Sequence, residues 1–318
     1  MSRKLRFVPP GGALVEVTCR TQQRRLLLRP SRELNETVVG VLGRAMDLYP
    51  VELVAAVFLS NHYHLLLWVE NSLALSRFMC HLGGNLSREV GRLHDWPQTL
   101  WGRRYDAIVI SDEEEAQVAR LRYVLAHGAK EGLVPSPEDW PGVHCATSLL
   151  SGEPLKGFWF DRSREYAARR LGRKLDRYSF ADEMNVEFQK LPCWRHLSDQ
   201  EYQNRIASLV DRIVDEVAGD ARRTGGALPS ASTCRRRICR QHPHSLPGGK
   251  TERRDAPAFH VYSRQARQKL RVAYAAFVTA FRVAAELLRN GDRSVRFPPG
   301  SFPPGLPYVE TLNPARAP

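Results

Sequence analysis

The stretch that decides the fold reads Phe58-Leu59-Ser60-Asn61-His62-Tyr63-His64-Leu65-Leu66-Leu67-Trp68. Successive side chains of a β-strand point to opposite faces of the sheet, so alternation places His62 and His64 on the same face. Their companions on that face are Leu66 and Trp68, and the opposite, core-facing side carries Tyr63, Leu65 and Leu67. Two imidazoles on one face suggest a metal site near the open end of an otherwise apolar strand, although the same pattern taken alone is also that of ordinary sheet histidines.

A second segment, Leu121-Arg122-Tyr123-Val124-Leu125-Ala126-His127-Gly128, is typical of the last turns of a helix that ends at glycine. It places Tyr123 and His127 one helical turn apart. Each residue alone has an ordinary explanation, a half-buried tyrosine for one and a histidine that complements the helix dipole for the other. If the helix lies beside the His62 strand, however, both side chains reach the two histidines.

Composition limits the partners and the compartment. The 318 residues carry a formal net charge of +13, with a pI near 9.8, which favours a polyanion such as nucleic acid over the competing choice, a membrane surface. No apolar run approaches the roughly 18 to 20 residues of a spanning helix, and the first residues lack the apolar core of a signal peptide. We therefore expect a cytoplasmic protein with no membrane partner.

Six cysteines are scattered without a disulfide framework, which suits a reducing compartment. One group deserves comment because it could bind zinc: Cys234, Cys239, His242 and His244. Its spacing does not match the common zinc patterns, so a solvated loop in an arginine-rich stretch is the favoured interpretation.

The first half alternates strand and helix patterns in the order ββαββαβα. The predicted elements are strands at 13–19 and 24–28, a helix from 34 to 46, strands at 51–59 and 62–69, a helix at 73–93, a strand at 104–110, and a helix to about 127. Ser111 to Glu114 has the spacing of a capping box for that last helix. This order is compatible with an α+β fold, a ferredoxin-like α/β sandwich with helices packed on one sheet face.

The second half differs in character. We predict a first domain over residues 1–155 and a basic, mainly helical C-terminal region over 156–318, with a flexible linker near 224–255. Ser198 to Glu201 predicts the start of a helix that reaches Arg222, and Ser263 starts a long helix that ends at Asn290-Gly291. The aromatic stripe on the latter helix favours packing rather than chemistry.

The four residues His62, His64, Tyr123 and His127 together permit one chemistry. A divalent ion held by three imidazoles keeps coordination positions open for a phosphate oxygen, and the phenolate of Tyr123 could attack phosphorus. The resulting phosphotyrosyl ester would keep the energy of the broken phosphodiester bond, so a strand could be cut and rejoined without nucleotide hydrolysis. The lack of a phosphate-binding Gly-rich loop in the sequence agrees with such chemistry. Imidazole ligands favour Mn²⁺, and Mg²⁺ remains the alternative.

Several motifs between Val15 and Ser148 resemble the REP-associated tyrosine transposases, single-tyrosine members of the HUH endonuclease superfamily. The motifs that carry the resemblance are Asn61-His62-Tyr63-His64-Leu65-Leu66-Leu67, Leu100-Trp101-Gly102-Arg103-Arg104-Tyr105, Leu121-Arg122-Tyr123-Val124, Gly132-Leu133-Val134 and Asp139-Trp140-Pro141. The resemblance implies the ferredoxin-like HUH nuclease fold, a metal-binding pair at His62 and His64, and Tyr123 as the nucleophile that forms a 5′-phosphotyrosine link to single-stranded DNA.

The chain departs from the pattern of this family at the position of the third candidate metal ligand. Relatives commonly show Asn-Pro-Val four residues after the tyrosine, where this chain has His127-Gly128-Ala129. If that position helps to bind metal, His127 is a competent replacement, although loss of the proline changes how the helix ends. The region after Phe158 has no counterpart in this resemblance.

Basic and aromatic residues near the site are candidates for DNA contacts, because guanidinium groups bind phosphates and aromatic rings stack on unpaired bases. They are Trp101, Arg103, Arg104, Tyr105, Arg120, Arg122 and Lys130. The expected partner is single-stranded or hairpin DNA, and a single tyrosine that processes two DNA ends is consistent with a homodimer. The sequence thus predicts a metal-dependent DNA nicking and strand-transfer enzyme. The alternatives are a non-catalytic DNA-binding regulator with the same fold, and a relaxase or replication initiator with the same chemistry.

Overall fold

The computed structural model describes residues 5–172, 175–223, 225, 230–246 and 257–302, together with the backbone of 310–311. Its first part consists of strand β1 (Ala13–Arg20), helix α1 (Arg32–Leu48), strands β2 (Glu52–Leu59) and β3 (His62–Val69), helix α2 (Ser72–His94), strand β4 (Asp106–Ile110) and helix α3 (Glu114–Leu125). The ranges of β2, β3 and the three helices agree closely with those predicted from periodicity.

The sheet has the strand order β2-β3-β1-β4, and all neighbouring pairs of these four strands are antiparallel. With one helix between β1 and β2 and another between β3 and β4, this is the split βαβ arrangement of a ferredoxin-like sandwich. The predicted α+β fold class is therefore confirmed. β1 lies at the centre and pairs Thr18 with His64 and Arg20 with His62.

Helices cover both faces of this sheet, whereas the sequence predicted that they cover one. Helices α1 and α2 share a core with Tyr63, Leu65 and Leu67 of β3. Helix α3 and later helices share a second core with Leu66, and Trp68 packs against it. The alternation prediction for β3 is thus correct, and the two histidines lie on the α3 face.

The predicted opening hairpin is wrong. Only β1 forms there, because residues 22–24 make a short 3₁₀ helix and Gln23 and Arg24 have positive φ angles of 52° and 61°. The apolar residues that suggested a strand, Leu27 and Leu28, are buried in the core from a turn instead. Hydrophobic burial without a ladder partner produced the strand-like pattern.

The start and end of α3 also differ from the prediction. Glu113 rather than Ser111 precedes the helix, and the Ser111 hydroxyl donates to the Glu113 carboxylate over 2.7 Å. The helix ends at Leu125, so His127 lies just beyond it, and Gly128 adopts a φ of 88°. A side chain at Gly128 would be strained in this conformation and would meet the Trp140 ring at 3.1 Å.

The second part of the chain continues both cores instead of forming a separate unit at residue 156. It contains α4 (Ala146–Ser151), β5 (Leu155–Phe160), α5 (Arg162–Arg170), β6 (Ala181–Val186) and α6 (Asp199–Arg223). Val186 joins the core of α1 and α2, and Ile206 and Ile213 of α6 join the core of α3. The boundary predicted after residue 155 therefore falls at the start of a strand and does not separate two cores. Ser198 and Glu201 form the predicted capping box.

The segment 224–255, predicted to be a flexible linker, contains helix α7 (Ala231–Cys239), whose Cys234 and Ile238 are buried against the α3 core. Residues 224, 226–229 and 247–255 of that segment lie outside the described residues. Within the described ranges no metal cluster includes Cys234, Cys239, His242 and His244. His244 instead contacts the His94 carbonyl oxygen over 2.8 Å.

The C-terminal part adds a fifth strand and a long helix. Strand β7 (Phe259–His260) pairs in parallel with β4, and helix α8 (Arg264–Arg289) follows and ends before Asn290-Gly291 as predicted. Strands β8 (Arg296–Phe297) and β9 (Glu310–Thr311) form a small separate sheet. No helix among the described residues is both long enough and apolar enough to span a membrane.

Candidate metal centre and nucleophile

The fold brings together the three histidines that the sequence singled out. His62 and His64 project from the same face of β3, and His127 follows the end of α3, which packs on that face. One ring nitrogen from each histidine lies within 4.8 Å of the others. Among the residues that the structure describes, this is the only group of at least three His, Cys, Asp or Glu side chains with such spacing.

Each imidazole is oriented through its Nδ1 atom. Nδ1 of His64 lies 2.7 Å from the Glu16 carboxylate, Nδ1 of His62 lies 2.6 Å from the Asn61 side-chain oxygen, and Nδ1 of His127 lies 3.1 Å from the Glu131 carboxylate. A ring that donates from Nδ1 presents the lone pair of Nε2. All three rings thus have the tautomer that binds a metal through Nε2.

The protonation states suit metal binding as well. Burial lowers the pKa of each of His62, His64 and His127, so the rings are neutral at physiological pH. The Lys130 ammonium lies 3.3 Å from Nε2 of His127 and would have to move away from that nitrogen when a metal ion binds. Three neutral imidazoles fit a transition-metal ion better than Mg²⁺, which prefers oxygen ligands.

Glu16 connects this cluster to the nucleophile candidate. Its side chain is buried and accepts a hydrogen bond from His64, and its second oxygen lies 2.6 Å from the Arg120 guanidinium. Burial alone raises the pKa of a carboxyl group, but the His64 hydrogen bond and the nearby positive charges, including Arg120, lower the pKa of Glu16 overall. The ionised carboxylate therefore holds a metal-ligand candidate and an arginine at once.

Tyr123 lies at the edge of the cluster and is accessible. It is 36 % exposed, and its ring centroid is 4.8 Å from that of His127 and 5.6 Å from that of His64. The Arg120 guanidinium and the Lys130 ammonium lie 4.5 Å and 3.5 Å from the Tyr123 ring centroid. Burial and the charge of Glu16 raise the pKa of Tyr123, so its hydroxyl is protonated at neutral pH.

The other predicted DNA contacts fall into two groups. Arg120 and Lys130 flank Tyr123, as described above. Arg122 is ion-paired with Glu216 of α6, Arg103 is ion-paired with Asp106, and Arg104 is exposed. Arg122 and Arg103 would therefore have to exchange a carboxylate for a phosphate.

Trp101 and Tyr105 have structural contacts on the other face of the sheet. The Trp101 indole donates to the Gly83 carbonyl oxygen over 2.8 Å and packs on Tyr63. Tyr105 packs against the α1–α2 core, with the Arg6 guanidinium 4.5 Å from its ring centroid. Neither ring is beside the histidine cluster, because residues 101–105 approach the sheet from the opposite side.

Sequence reasoning missed four residues at the site: Glu16, Thr18, Arg20 and Glu131. The first three occupy the polar face of β1, and the exposed Arg20 is close enough to influence the pKa values of His62 and Tyr123. The alternation of polar residues along β1 was the available signal. It could not reveal that β1 lies beside β3.

Comparison with known protein families gives a match over the part of the chain that contains His62, His64 and Tyr123. Residues 13–125, which include β1 through α3, match the family model described as "Transposase IS200 like". No curated protein matches the chain.

Two solved structures are similar at low sequence identity. A REP-associated tyrosine transposase bound to a REP hairpin is 17 % identical, covers 48 % of this chain and 87 % of its own, and has a TM-score of 0.38. A crystal structure described as that of a candidate transposase from Deinococcus radiodurans R1 is 20 % identical, covers 38 % of this chain and 95 % of its own, and has a TM-score of 0.28.

Proposed function

We propose that this chain nicks and rejoins single-stranded DNA with Tyr123 as the nucleophile, since residues 13–125 match the family model described as "Transposase IS200 like". The match to this family model supports a role in DNA transposition. The observation that carries the finer proposal is the position of an exposed tyrosine beside three converging, neutral histidines, with two cationic side chains against its ring.

The proposed step is a transesterification. The Tyr123 oxygen attacks phosphorus and a phosphotyrosyl bond forms, while the bond from phosphorus to the 3′ oxygen of the upstream strand breaks. The tyrosine proton is lost and the 3′ oxygen gains a proton. This leaves a 5′-phosphotyrosine and a free 3′ hydroxyl, and attack by a 3′ hydroxyl reverses the step without nucleotide hydrolysis.

His62, His64 and His127 would hold the divalent ion, with Mn²⁺ preferred over Mg²⁺ because the donors are imidazole nitrogens. Such an ion supplies Lewis-acid polarisation of a phosphate oxygen. Glu16, Asn61 and Glu131 fix the tautomers of the three rings through Nδ1.

Cationic groups around Tyr123 have a separate task, which is to bind the phosphate and offset its negative charge. Arg120 is held by Glu16, and Lys130 and Arg20 approach from other elements. Because burial raises the pKa of Tyr123, its proton has to leave as the new bond forms, and positive charge next to the ring stabilises the developing phenolate.

The proposed substrate is single-stranded DNA, including strands that carry a hairpin, in the cytoplasm where the nucleoid lies. Homodimerisation stays a prediction from mechanism, since one tyrosine has to serve two DNA ends.

The test uses the full chain and end-labelled single-stranded hairpin oligonucleotides from the DNA that flanks its gene, with Mn²⁺, Mg²⁺ or EDTA. We expect a covalent adduct on denaturing gels that retains the label 3′ of the nick, requires metal, and disappears in Tyr123→Phe. Tyr166→Phe, a change at an exposed tyrosine of α5, is the matched control. DNA binding without an adduct under both metals would favour the non-catalytic regulator.

A further inference from the structure

The C-terminal part of the chain forms a groove at the edge of the sheet that carries the site. The groove lies between β7 and the first turns of α8 and encloses about 480 Å³. Its walls include two basic and two aromatic residues as well as a histidine: Arg267, Arg271, Phe259, Tyr274 and His260. This region follows the part that matches the transposase family and needs its own explanation.

The groove is anchored to the elements that position Tyr123. The Ser111 amide donates to the His260 carbonyl oxygen over 3.0 Å, which extends the sheet beyond β4. The Glu113 carboxylate, at the start of α3, accepts hydrogen bonds from the amides of Tyr262 and Ser263 at 2.9 and 3.0 Å. Helix α3 carries Tyr123 in its third turn, so the groove is fixed relative to the nucleophile.

The register of the sheet places one end of the groove on the histidine face. His260 pairs with Ile110, and Ile110 pairs with Leu14, which is two residues from Glu16 on the same face of β1. His260 is also close enough for the charges of Arg120 and Glu16 to act on it. A chain that lies in the groove is therefore directed toward Arg120 and Tyr123.

The charge of the groove suits a polyanion. Arg267 and Arg271 lie one helical turn apart and are exposed, and neither forms an ion pair within the described part of the chain. Lys269 and Arg264 add to this charge, and the helix has no acidic residue before Glu286. Two adjacent unpaired guanidinium groups are suited to successive phosphates of one strand.

An aromatic ring stands beside the groove and is free to stack. Tyr262 is 66 % exposed, although its backbone amide is fixed by Glu113. Grooves that combine cationic side chains with exposed aromatic rings are typical of single-stranded nucleic-acid sites, where phosphates bind to the charges and bases stack on the rings.

We propose that the groove between β7 and α8 binds the single strand of DNA that leads to Tyr123, with Arg267 and Arg271 on its phosphates and Tyr262 against a base. The inference rests on the proposed function, because it takes single-stranded DNA as the substrate. It assigns to the C-terminal region a part in holding that strand.

The experiment measures binding of a fluorescent 30-nucleotide single strand to the full chain as a function of salt, in a Tyr123→Phe background where no adduct can form. Arg267→Ala with Arg271→Ala is compared with Arg282→Ala and Arg289→Ala. This control removes the same charge from exposed positions that lie about 16 to 33 Å farther along the same helix. Tyr262→Ala is compared with Tyr262→Phe and with Tyr166→Ala, whose side chain is equally exposed.

We expect the double variant Arg267→Ala with Arg271→Ala to weaken DNA binding about five- to tenfold. The slope of log affinity against log salt concentration should become shallower by about 1.4, or about 0.7 for each lost phosphate contact. Tyr262→Ala should cost at least about fivefold, Tyr262→Phe should restore binding, and both controls should stay within twofold. Thermal unfolding midpoints equal to those of the controls show that the variants fold.

Equal affinities for groove and control variants would overturn the groove proposal, even if the unsubstituted chain forms adducts at Tyr123. Equal losses on a blunt duplex of the same length would overturn the single-strand assignment. If the Tyr123→Phe chain binds no single-stranded DNA, the groove proposal is overturned. Weaker DNA binding by the groove variant, together with no adduct from the unsubstituted chain, would support the groove proposal while contradicting the catalytic proposal.

Discussion

Glu16 gives the sharpest test of how the site is built. The substitution Glu16→Gln keeps the shape of the side chain and an oxygen that can accept from His64, but it removes the charge that pairs with Arg120 at 2.6 Å. The Arg120 side chain is only 14 % exposed, so it would stay largely buried without its partner. The change therefore affects a metal-ligand candidate and an arginine beside Tyr123 at the same time.

The expected magnitudes follow from these contacts. Loss of an outer partner of a metal-binding histidine typically weakens metal affinity or activity about 10- to 100-fold, so we expect Mn²⁺ affinity to fall by at least about tenfold. Removal of one partner from a fully buried ion pair costs about 3 to 5 kcal/mol. Since Arg120 reaches some solvent and the amide still accepts from His64, we expect the free energy of unfolding to fall by about 2 kcal/mol.

The assay combines calorimetric titration of the folded protein with Mn²⁺ and urea unfolding in EDTA. Glu115→Gln is the matched control, because Glu115 is an exposed acid in the first turn of α3 with no ion pair among the described residues. Glu16→Asp, which keeps the charge, should recover part of the affinity. An unchanged Mn²⁺ affinity in Glu16→Gln would refute the conclusion that the charge of Glu16 strengthens metal binding by His64.

Two further predictions concern the surroundings of the site. Burial lowers the pKa of His144 to about 4, below its unfolded value near 6.5, so the unfolded state binds more protons between these values and stability should fall as the pH drops from 6.5 to 4. His144→Asn should reduce the pH dependence of the free energy of unfolding by up to about 1.4 kcal/mol per pH unit, as measured by urea unfolding at several pH values. An unchanged pH dependence would contradict the lowered pKa of His144. Trp140 packs on Gly128 and donates to the Phe58 carbonyl oxygen, so Trp140→Phe should destabilise the protein by about 1 to 3 kcal/mol and increase amide hydrogen exchange around His127. Exchange as slow as in the unsubstituted protein would show that Trp140 does not hold this turn.

The sequence alone was sufficient for the parts that depend on local pattern. Alternation along 62–69 located the two histidines on one face, and the glycine after His127 located the end of α3 within two residues. These predictions succeeded because side-chain direction in a strand and the left-handed conformation at Gly128 depend on a few neighbouring residues.

Features that depend on distant pairing were missed. Glu16 is at the site because β1 lies next to β3, and the groove exists because β7 joins β4, and neither pairing has a local signal. Base stacking by Trp101 and Tyr105 stays a prediction, and the sequence did not indicate that both rings pack against the α1–α2 core. Leu27 and Leu28 resembled a strand because burial alone, without a ladder, selects the same residue types.

The most direct test of the central claim is mass spectrometry of the covalent product. The full chain is incubated with Mn²⁺ and a single-stranded hairpin substrate, digested with protease and nuclease, and searched for a peptide that retains a nucleotide. The proposed function predicts a 5′-phosphonucleotide on the Tyr123 side chain, formed only with metal. A nucleotide attached to any other residue, or no attachment on a substrate that the protein cuts, would contradict it.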